Sequence, residues 1–383
     1  MQTKKLFLCL LFVGLAAVAR PQSGGKLAFT IFDAPGAGTA PSQGTQAMMI
    51  GRGGWIVGSY IDSSNVSHGF LRSPDGNFTS VDPPGSAGML SIGGLNAQLT
   101  VTGCYQDAGG VIHSFIRTAD GRYTTYDNPG AGSATFQGTC GWSINDSGEV
   151  AGYYRDANYT FHTFLRSPEG SFTEVDAPGA GTGPFQGTVA NGLTGLTNAG
   201  ALSGGTLDAD SVNHGMLRRR DGTFTQIDAP DAGAAPGQGT VPSSINQRNE
   251  LTGNYVDAAN AEHGFFWTVD RGVTEFDAPG AGSQPGQGTF PVTDNAVGAI
   301  VGYYADPDGV NHGFLRLPNG RMTEFDAPGA GTTPGSPVMF AGGIFGQGTV
   351  PITNNDAGTI TGFYVDGNSV SHGFVLTINN AGR

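Results

Sequence analysis

The seven histidines of this sequence all stand in one repeated phrase, His-x-Phe or His-x-Met, and an aspartate precedes each by six residues. A carboxylate that accepts a hydrogen bond from an imidazole raises the pKa of the histidine. A catalytic role is not needed seven times, so we expect these pairs to fix turns. The pairs are Asp62 and His68, Asp107 and His113, Asp156 and His162, Asp208 and His214, Asp257 and His263, Asp306 and His312, and Asp366 and His372.

A second aspartate series runs in step with the histidines. Each of these residues ends a strand-like phrase and is usually followed by Ala-Pro-Gly; they are Asp33, Asp82, Asp127, Asp176, Asp228, Asp277 and Asp326. Gln-Gly-Thr follows in six repeats, beginning at Gln43, Gln137, Gln186, Gln238, Gln287 and Gln347. The second repeat lacks this phrase and is short, whereas an insertion around 335–346 lengthens the last interval.

One repeat predicts four short strands, which we call A to D. Strand A follows Gln-Gly-Thr, and strands B, C and D are expected at 149–154, 162–166 and 172–175. Clusters of Gly, Asn, Asp and Pro, typical of tight turns, separate them. Four strands in a repeat of about 49 residues are typical of a β-propeller blade. The repeated Tyr of strand B and Phe of strand C are expected in the core between blades.

These repeats predict an all-β fold, a seven-bladed β-propeller with four antiparallel strands per blade, over residues 27–377. The strand D phrase at 29–33 precedes any A, B or C strand, and the last repeat stops after strand C at 372–377. The N-terminal strand is therefore expected to complete the last blade, because an open ring would leave an exposed edge strand. A β-solenoid of the same repeats is the alternative.

Composition excludes several classes of protein. The 383 residues include 65 Gly and 22 Pro, the two poorest helix formers, which excludes a helical bundle. Aromatic residues make up 10%, which argues against a disordered chain. The formal net charge of −13 disfavours nucleic acid as a partner, because like charges repel a phosphate backbone. The basic run at 218–220 is interpreted as a solvated strand end.

The N-terminus has the pattern of a secretory signal peptide. Lys4 and Lys5 precede an apolar run at 6–18, and Ala17-Val18-Ala19 fits a cleavage site. The run is short for a membrane span, although a short anchor is the alternative. We therefore expect a signal peptide at 1–19, an extension at 20–26, a tail at 378–383 and no membrane span after cleavage. The mature protein is expected to be a secreted monomer, extracellular or periplasmic.

Three phrases carry a resemblance to a known family. His-Gly-Phe-Leu, the segment 145–153 and the segment Glu262 to Trp267 resemble the HAF family of bacterial extracellular repeats, named for a His-Ala-Phe tripeptide. In this sequence the Ala position is taken by Gly in most repeats, by Ser114 in one repeat and by Thr163 in another. The resemblance covers 27–377 and implies secretion. It implies no established activity and no catalytic residues.

Two cysteines, Cys104 and Cys140, remain beyond the leader. Two are too few for a disulfide scaffold or for a structural zinc site of four thiolates. We expect both to be free thiols. A disulfide is the alternative, since the two fall in adjacent blades of an exported chain.

Any function is expected on the face that carries the B–C and D–A connections. Both aspartate series belong to these connections, so up to 14 Asp share this face. The insertion lies in a D–A connection and supplies a predicted binding loop, with a channel plug as the alternative; its apolar residues are Val338, Met339, Phe340, Ile344 and Phe345. Asp306 and Asp308 form a weak candidate site for Ca²⁺. No other cofactor is expected.

Enzyme signatures are absent from the sequence. It contains no Gly-x-Ser-x-Gly elbow, no His-Glu-x-x-His and no phosphate loop, and every His belongs to the repeat. We therefore predict a binding or interaction module for an unknown extracellular ligand or protein. One alternative is an extracellular carbohydrate-active enzyme, a hydrolase or lyase, which would need only a carboxylate pair. The other is a purely structural envelope protein.

Overall fold

The structure, a computed structural model, describes residues 26–190, 192, 194–334, 338–340 and 343–379. Over these residues the protein is all-β, and its one helical element is a 3₁₀ turn at Arg52–Gly54. Twenty-eight strands join one mixed sheet, and two more form a separate hairpin. Within this part of the chain, no helix has the length and apolar character required to cross a membrane. The predicted signal peptide at 1–19, most of the extension at 20–26 and the end of the predicted tail, 380–383, lie outside the described residues.

Antiparallel pairing divides the main sheet into repeat units of consecutive strands. Unit 1 contains β2 (Gly44–Ile50), β3 (Ile56–Ile61), β4 (Ser67–Arg72) and β5 (Phe78–Ser80). Unit 2 contains β6 (Leu90–Leu95), β7 (Val101–Gln106), β8 (Ile112–Arg117) and β9 (Tyr123–Tyr126). Unit 3 contains β10 (Gly138–Ile144), β11 (Val150–Arg155), β12 (Phe161–Arg166) and β13 (Phe172–Glu174). Unit 4 contains β14 (Gly187–Val189), β15 (Leu202–Leu207), β16 (Asn213–Arg218) and β17 (Phe224–Ile227). Unit 5 contains β18 (Gly239–Ile245), β19 (Leu251–Val256), β20 (Glu262–Thr268) and β21 (Gly272–Phe276). Unit 6 contains β22 (Gly288–Asp294), β23 (Ile300–Ala305), β24 (Asn311–Arg316) and β25 (Met322–Phe325).

Unit 7 draws its strands from both ends of the described chain. It contains β28 (Gly348–Asn354), β29 (Ile360–Val365), β30 (Ser371–Asn379) and β1 (Lys26–Phe32). β1 and β30 pair antiparallel over seven residues, with Phe29 opposite Leu376. β1 therefore occupies the fourth position of unit 7, the position that β5 or β13 takes in other units.

Successive units are joined where the strand after Gln-Gly-Thr begins. Gly44 of β2 forms a parallel bridge with Ser371, the first residue of β30. Gly44 has a φ of +110°, and a Cβ there would overlap the Ser371 carbonyl oxygen. Only glycine satisfies both constraints without strain. The same bridge recurs at the first glycine of β10, β14, β18, β22 and β28.

The core is formed between units by the aromatic positions of the repeat. The phenylalanines of the third strands are fully buried: Phe70, Phe115, Phe164, Phe265, Phe314 and Phe374. Burying such a side chain contributes about 1.5–3 kcal/mol to folding. Met216 takes this position in unit 4 and is also buried.

The expectation of two free cysteines was wrong. Cys104 in β7 and Cys140 in β10 form a disulfide between units 2 and 3, with their Cα atoms 4.9 Å apart. That separation lies within the range a disulfide requires. Both residues are buried beside Ile112. The bond fixes the first strand of unit 3 against the second strand of unit 2.

Candidate functional site

The aspartate of each Asp-x5-His segment holds its own turn. In unit 6, Oδ1 of Asp306 accepts hydrogen bonds from the backbone N–H groups of Asp308, at 2.9 Å, and Val310, at 2.8 Å. The other six turns have the same pair of bonds, to the residues two and four positions on. In unit 1 the bond from Val66 leads the effects that lower the pKa of Asp62. Each carboxylate therefore closes a turn between the second and third strands.

Each histidine lies between two carboxylates, one from each aspartate series. Nε2 faces the aspartate six residues earlier, at 3.4–3.9 Å. Nδ1 lies closer to the aspartate of the Ala-Pro-Gly series, at 2.6–3.4 Å. The pairing expected from the sequence is thus the longer contact in every unit. The closer partners are Asp82 for His68, Asp127 for His113, Asp176 for His162, Asp228 for His214, Asp277 for His263, Asp326 for His312 and Asp33 for His372.

A tyrosine of the second strand covers most of these histidines. The rings stack with centroids 4.8–5.1 Å apart in five units. Tyr105 lies at a tilt to His113, at 5.6 Å. Hydrogen bonding to Asp326 raises the pKa of His312, and bonding to Asp33 does so for His372. This network therefore joins the turns of the B–C/D–A face.

The weak Ca²⁺ candidate is engaged in the same network. One Asp306 oxygen holds the turn, and the other lies 3.4 Å from Nε2 of His312. Asp308 is exposed, and its backbone N–H bonds to Asp306. Within the described residues, the group with metal-ligand spacing is instead His162, Glu174 and Asp176. These three are already bonded, since Glu174 accepts from Tyr154 and Asp176 lies 2.6 Å from His162.

The predicted binding loop contains the separate hairpin. β26 (Val338–Phe340) pairs antiparallel with β27 (Gly343–Phe345), with Val338 opposite Phe345 and Met339 opposite Ile344. Residues 335–337, 341 and 342 lie outside the described part of the chain, as do the side chains of the hairpin. The predicted role of this loop stays a prediction.

Gln-Gly-Thr cross-links the B–C/D–A face in the units that have it. In unit 1, Oε1 of Gln43 accepts from the N–H of Ala40, and Nε2 donates to Asn65. The hydroxyl of Thr45 accepts from the N–H of Ala34. Equivalent bonds from Gln and Thr recur in units 3 to 7. The phrase thus ties the loop that enters each of these units to the B–C turn of the same unit.

A cavity lies where the second unit lacks this phrase. Its volume is about 510 Å³, within the range of small-molecule sites. One wall is the B–C turn of unit 1, including Val66, and another is the loop into β6, including Met89. Units 2 and 3 supply the rest of the lining, including Phe136 and Arg155. We call this space the unit 2 cavity.

The unit 2 cavity combines apolar walls with a few polar side chains. Val66, Met89 and Phe136 are large apolar residues that remain 45%, 40% and 56% exposed. Gln106 and Arg155 supply polar groups to the lining. This arrangement suits a ligand that combines an apolar body with a polar group.

Sequence reasoning missed these lining residues. The missing Gln-Gly-Thr of the second repeat was visible, but a gap in a repeat does not show what neighbouring units leave uncovered. The one further signal was Arg155, a charged residue at the end of a second strand. The equivalent positions are uncharged: Ile61, Gln106, Leu207, Val256, Ala305 and Val365.

The opposite face carries a different polar network. Asparagine side chains of the turns after first strands donate to the carbonyl oxygen of the next unit, as from Asn96 to Asn145 and from Asn145 to Thr197. Asp294 is buried there and accepts from Ser244 and Asn246 of unit 5, at 2.7 Å each. Burial raises its pKa to about 7.

Comparison with known proteins defines the fold class. No family model matches the sequence, and no curated protein matches it. The chain is similar to virginiamycin B lyase from Staphylococcus aureus, with a TM-score of 0.55 and 14% identity over 92% of this chain and 100% of the lyase.

Two further solved structures give the same result. A catalytically inactive form of that lyase, solved with quinupristin, has a TM-score of 0.56 and 15% identity over the same shares of the two chains. A streptogramin B lyase has a TM-score of 0.53 and 12% identity over 91% of this chain and 98% of that chain. These neighbours are β-propeller proteins, so the fold is of the β-propeller type. At such low identity the likeness establishes the fold alone.

Proposed function

We propose that the units are the seven four-stranded blades of one propeller, closed by β1 in the last blade. The pairing of β1 with β30 and the recurrent bridge between neighbouring units support this arrangement. Deletion of 26–32 should lower the melting temperature and promote aggregation, because β30 would become an open edge. An unchanged melting temperature would contradict the closure.

The leader pattern and the resemblance to HAF repeats support a secreted protein of the extracellular space or periplasm. N-terminal sequencing of exported protein should find a chain that begins after Ala19. A chain that retains 1–19 would contradict cleavage.

The function that we propose is binding of a small extracellular ligand on the B–C/D–A face. The observation that carries this proposal is the unit 2 cavity, which lies where the repeat is interrupted and which exposes apolar side chains. Binding sites concentrate on loops held by a rigid scaffold, and we look for one where such loops leave a space that the repeat otherwise closes. The cavity meets this condition, whereas the Asp–His network does not.

Catalysis, the first alternative, has less support. An acidic pair does occur on the opposite face, where Nδ2 of Asn246 donates to Asp294 and Glu250. Arg248 and Ser244 bond to the same two carboxylates. A glycosidase needs a carboxylate pair that is open to its substrate. A purely structural role, the second alternative, would not explain why the repeat is interrupted between units 1 and 3.

Titration with N-phenyl-1-naphthylamine, a neutral apolar fluorophore, tests binding. We expect one saturable site. Val66→Trp should abolish it by filling the cavity from an exposed position. Val297→Trp is the matched control, because Val297 is also an exposed valine but lies in a turn of the opposite face. Absence of saturable fluorescence, or equal binding by both variants, would overturn the proposal.

A further inference from the structure

Arg155 is the single charged residue among those that line the unit 2 cavity in the described part of the chain. The surrounding face carries both aspartate series, and the whole chain has a formal net charge of −13. The cavity therefore carries a positive charge, whereas the protein as a whole is negatively charged. Such an arrangement selects for charge in a ligand.

The guanidinium of Arg155 is held in place but is not neutralised. Nη1 donates to the carbonyl oxygen of Phe136 at 2.8 Å, and the group lies 4.9 Å from the centroid of the Phe161 ring. No described carboxylate lies within ion-pair distance, and Nε is enclosed without a partner. Arginine has five N–H donors in a planar fork, which matches a carboxylate or a sulfonate. Arg155 also interacts with the hydroxyl of Tyr153, another lining residue, so part of the fork is left for a ligand.

Much of the rest of the lining is apolar. Val66, Met89 and Ile112 contribute to it, beside the uncharged polar side chains of Asn65 and Gln106. A ligand with an apolar body and one anionic group would satisfy both parts of this lining.

We propose that the unit 2 cavity binds small apolar or aromatic molecules that carry a carboxylate or sulfonate, with Arg155 holding the anionic group. This inference rests on the proposed binding function and specifies its ligand class. The guanidinium pairs with the anion, and the side chains of Val66, Met89 and Phe136 cover the apolar body. Neutral molecules of the same shape bind more weakly, because they leave the Arg155 donors unpaired.

Two fluorophores with the same aromatic skeleton, one anionic and one neutral, measure the contribution of ligand charge separately from that of ligand shape. 8-Anilinonaphthalene-1-sulfonate is N-phenyl-1-naphthylamine with one added sulfonate. We expect Arg155→Gln to raise the Kd of the sulfonate by about 10-fold or more, the usual scale for a charge-assisted hydrogen bond. The Kd of the neutral probe should change less than about 2-fold. Arg155→Lys keeps the charge and should recover part of the affinity.

Arg52→Gln is the matched control, because Arg52 is an exposed arginine on the opposite face and the variant has the same net charge. It should leave the Kd of both probes unchanged. Equal effects of Arg155→Gln on both probes, or no effect on either, would overturn the anion site while binding itself stands. Failure of both probes to bind the wild type would instead overturn the binding function.

Discussion

Units 4 and 6 contain the same Asp–His network, but they differ in strand pairing and in the residue that faces the histidine. In unit 6, β22 pairs with β23 over six residue pairs, and Tyr304 stacks on His312. In unit 4, β14 pairs with β15 over three, and Thr206 stands opposite His214 where other units have Tyr. His214 nevertheless lies 3.4 Å from Asp208 and 3.2 Å from Asp228. The turn and its network therefore do not depend on the tyrosine.

Loss of the aromatic residues in unit 4 leaves space that unit 6 fills. A cavity of about 210 Å³ borders Thr206, Met216 and Gln226. Gly179 of the adjoining loop faces open space, whereas the equivalent Gly280 lies against the ring of Tyr304. The polar part of the repeat thus determines the turn, and the aromatic part determines how tightly neighbouring units pack.

The largest expected effect comes from making unit 6 resemble unit 4. Tyr304→Thr should reduce the free energy of unfolding by about 2–4 kcal/mol, because it removes a buried ring and leaves a cavity. Urea unfolding followed by circular dichroism measures the change. A loss below about 1 kcal/mol would contradict the assigned role of the ring.

The reciprocal variant is the control for this change. Thr206→Tyr should be neutral or should stabilise unit 4 by up to about 2 kcal/mol, since filling an existing cavity adds apolar contact. Marked destabilisation by Thr206→Tyr would show that the unit 4 cavity cannot accommodate a ring. The space would then differ in shape from the tyrosine sites of the other units.

A second difference between the two units concerns a buried carboxyl group. Asp294 ends the first strand of unit 6, where unit 4 has the buried Leu196. Burial raises the pKa of Asp294 from 3.8 to about 7. The folded state therefore binds a proton that the unfolded state has released between these pH values. The stability contributed by neutral Asp294 is greatest below pH 3.8 and falls as the pH rises to about 7.

Asp294→Asn should remove this dependence on pH. Relative to the variant, the wild type should lose on the order of 2 kcal/mol of unfolding free energy between pH 5 and pH 8. Guanidinium unfolding at the two pH values measures the difference. Asp308→Asn, at an exposed residue of the same unit, is the control and should show no such change. Parallel pH profiles for the wild type and Asp294→Asn would refute the assignment.

The sequence predicted most of the strand pattern but little of the site. Phrases of period about 49 placed strand B of unit 3 at 149–154, and the structure has β11 at Val150–Arg155. Turn residues locate strand ends well, because Gly, Asn and Asp act locally. The cavities could not be predicted, since each depends on which side chains of two neighbouring units fail to meet.

The cysteines show the same limit. The sequence placed them in adjacent repeats, but a disulfide requires a particular alignment between strands of different units. Cys104 and Cys140 take positions where units 1 and 2 have Ser59 and Ser91. Only the packing of β10 on β7 brings the two Cα atoms to 4.9 Å. Periodicity along one chain contains no information on that packing.

The smallest expected effect is the loss of stability on replacing the histidine of each network, His312 in unit 6 and His214 in unit 4. Hydrogen bonding to Asp326 raises the pKa of His312 above its usual 6.5. The stability from this pair is therefore complete below pH 6.5 and is lost as the pH rises through the folded pKa. His312→Gln should cost less than about 1 kcal/mol at pH 6, since the pair is partly exposed, and less still at pH 9.

His214→Gln should cost even less than His312→Gln at pH 6. Nε2 of Gln226 donates to Asp228 at 2.7 Å, so this carboxylate keeps a partner when the imidazole is removed. Unit 6 has Glu324 at the position of Gln226, and an acidic side chain cannot replace the lost donor for Asp326. His214 also lacks the tyrosine that covers His312. Urea unfolding of both variants at pH 6 and pH 9 measures the four differences. Equal costs at pH 6 would show that neither the tyrosine nor the neighbouring amide modifies the network, and units 4 and 6 would then differ only in how their apolar side chains pack.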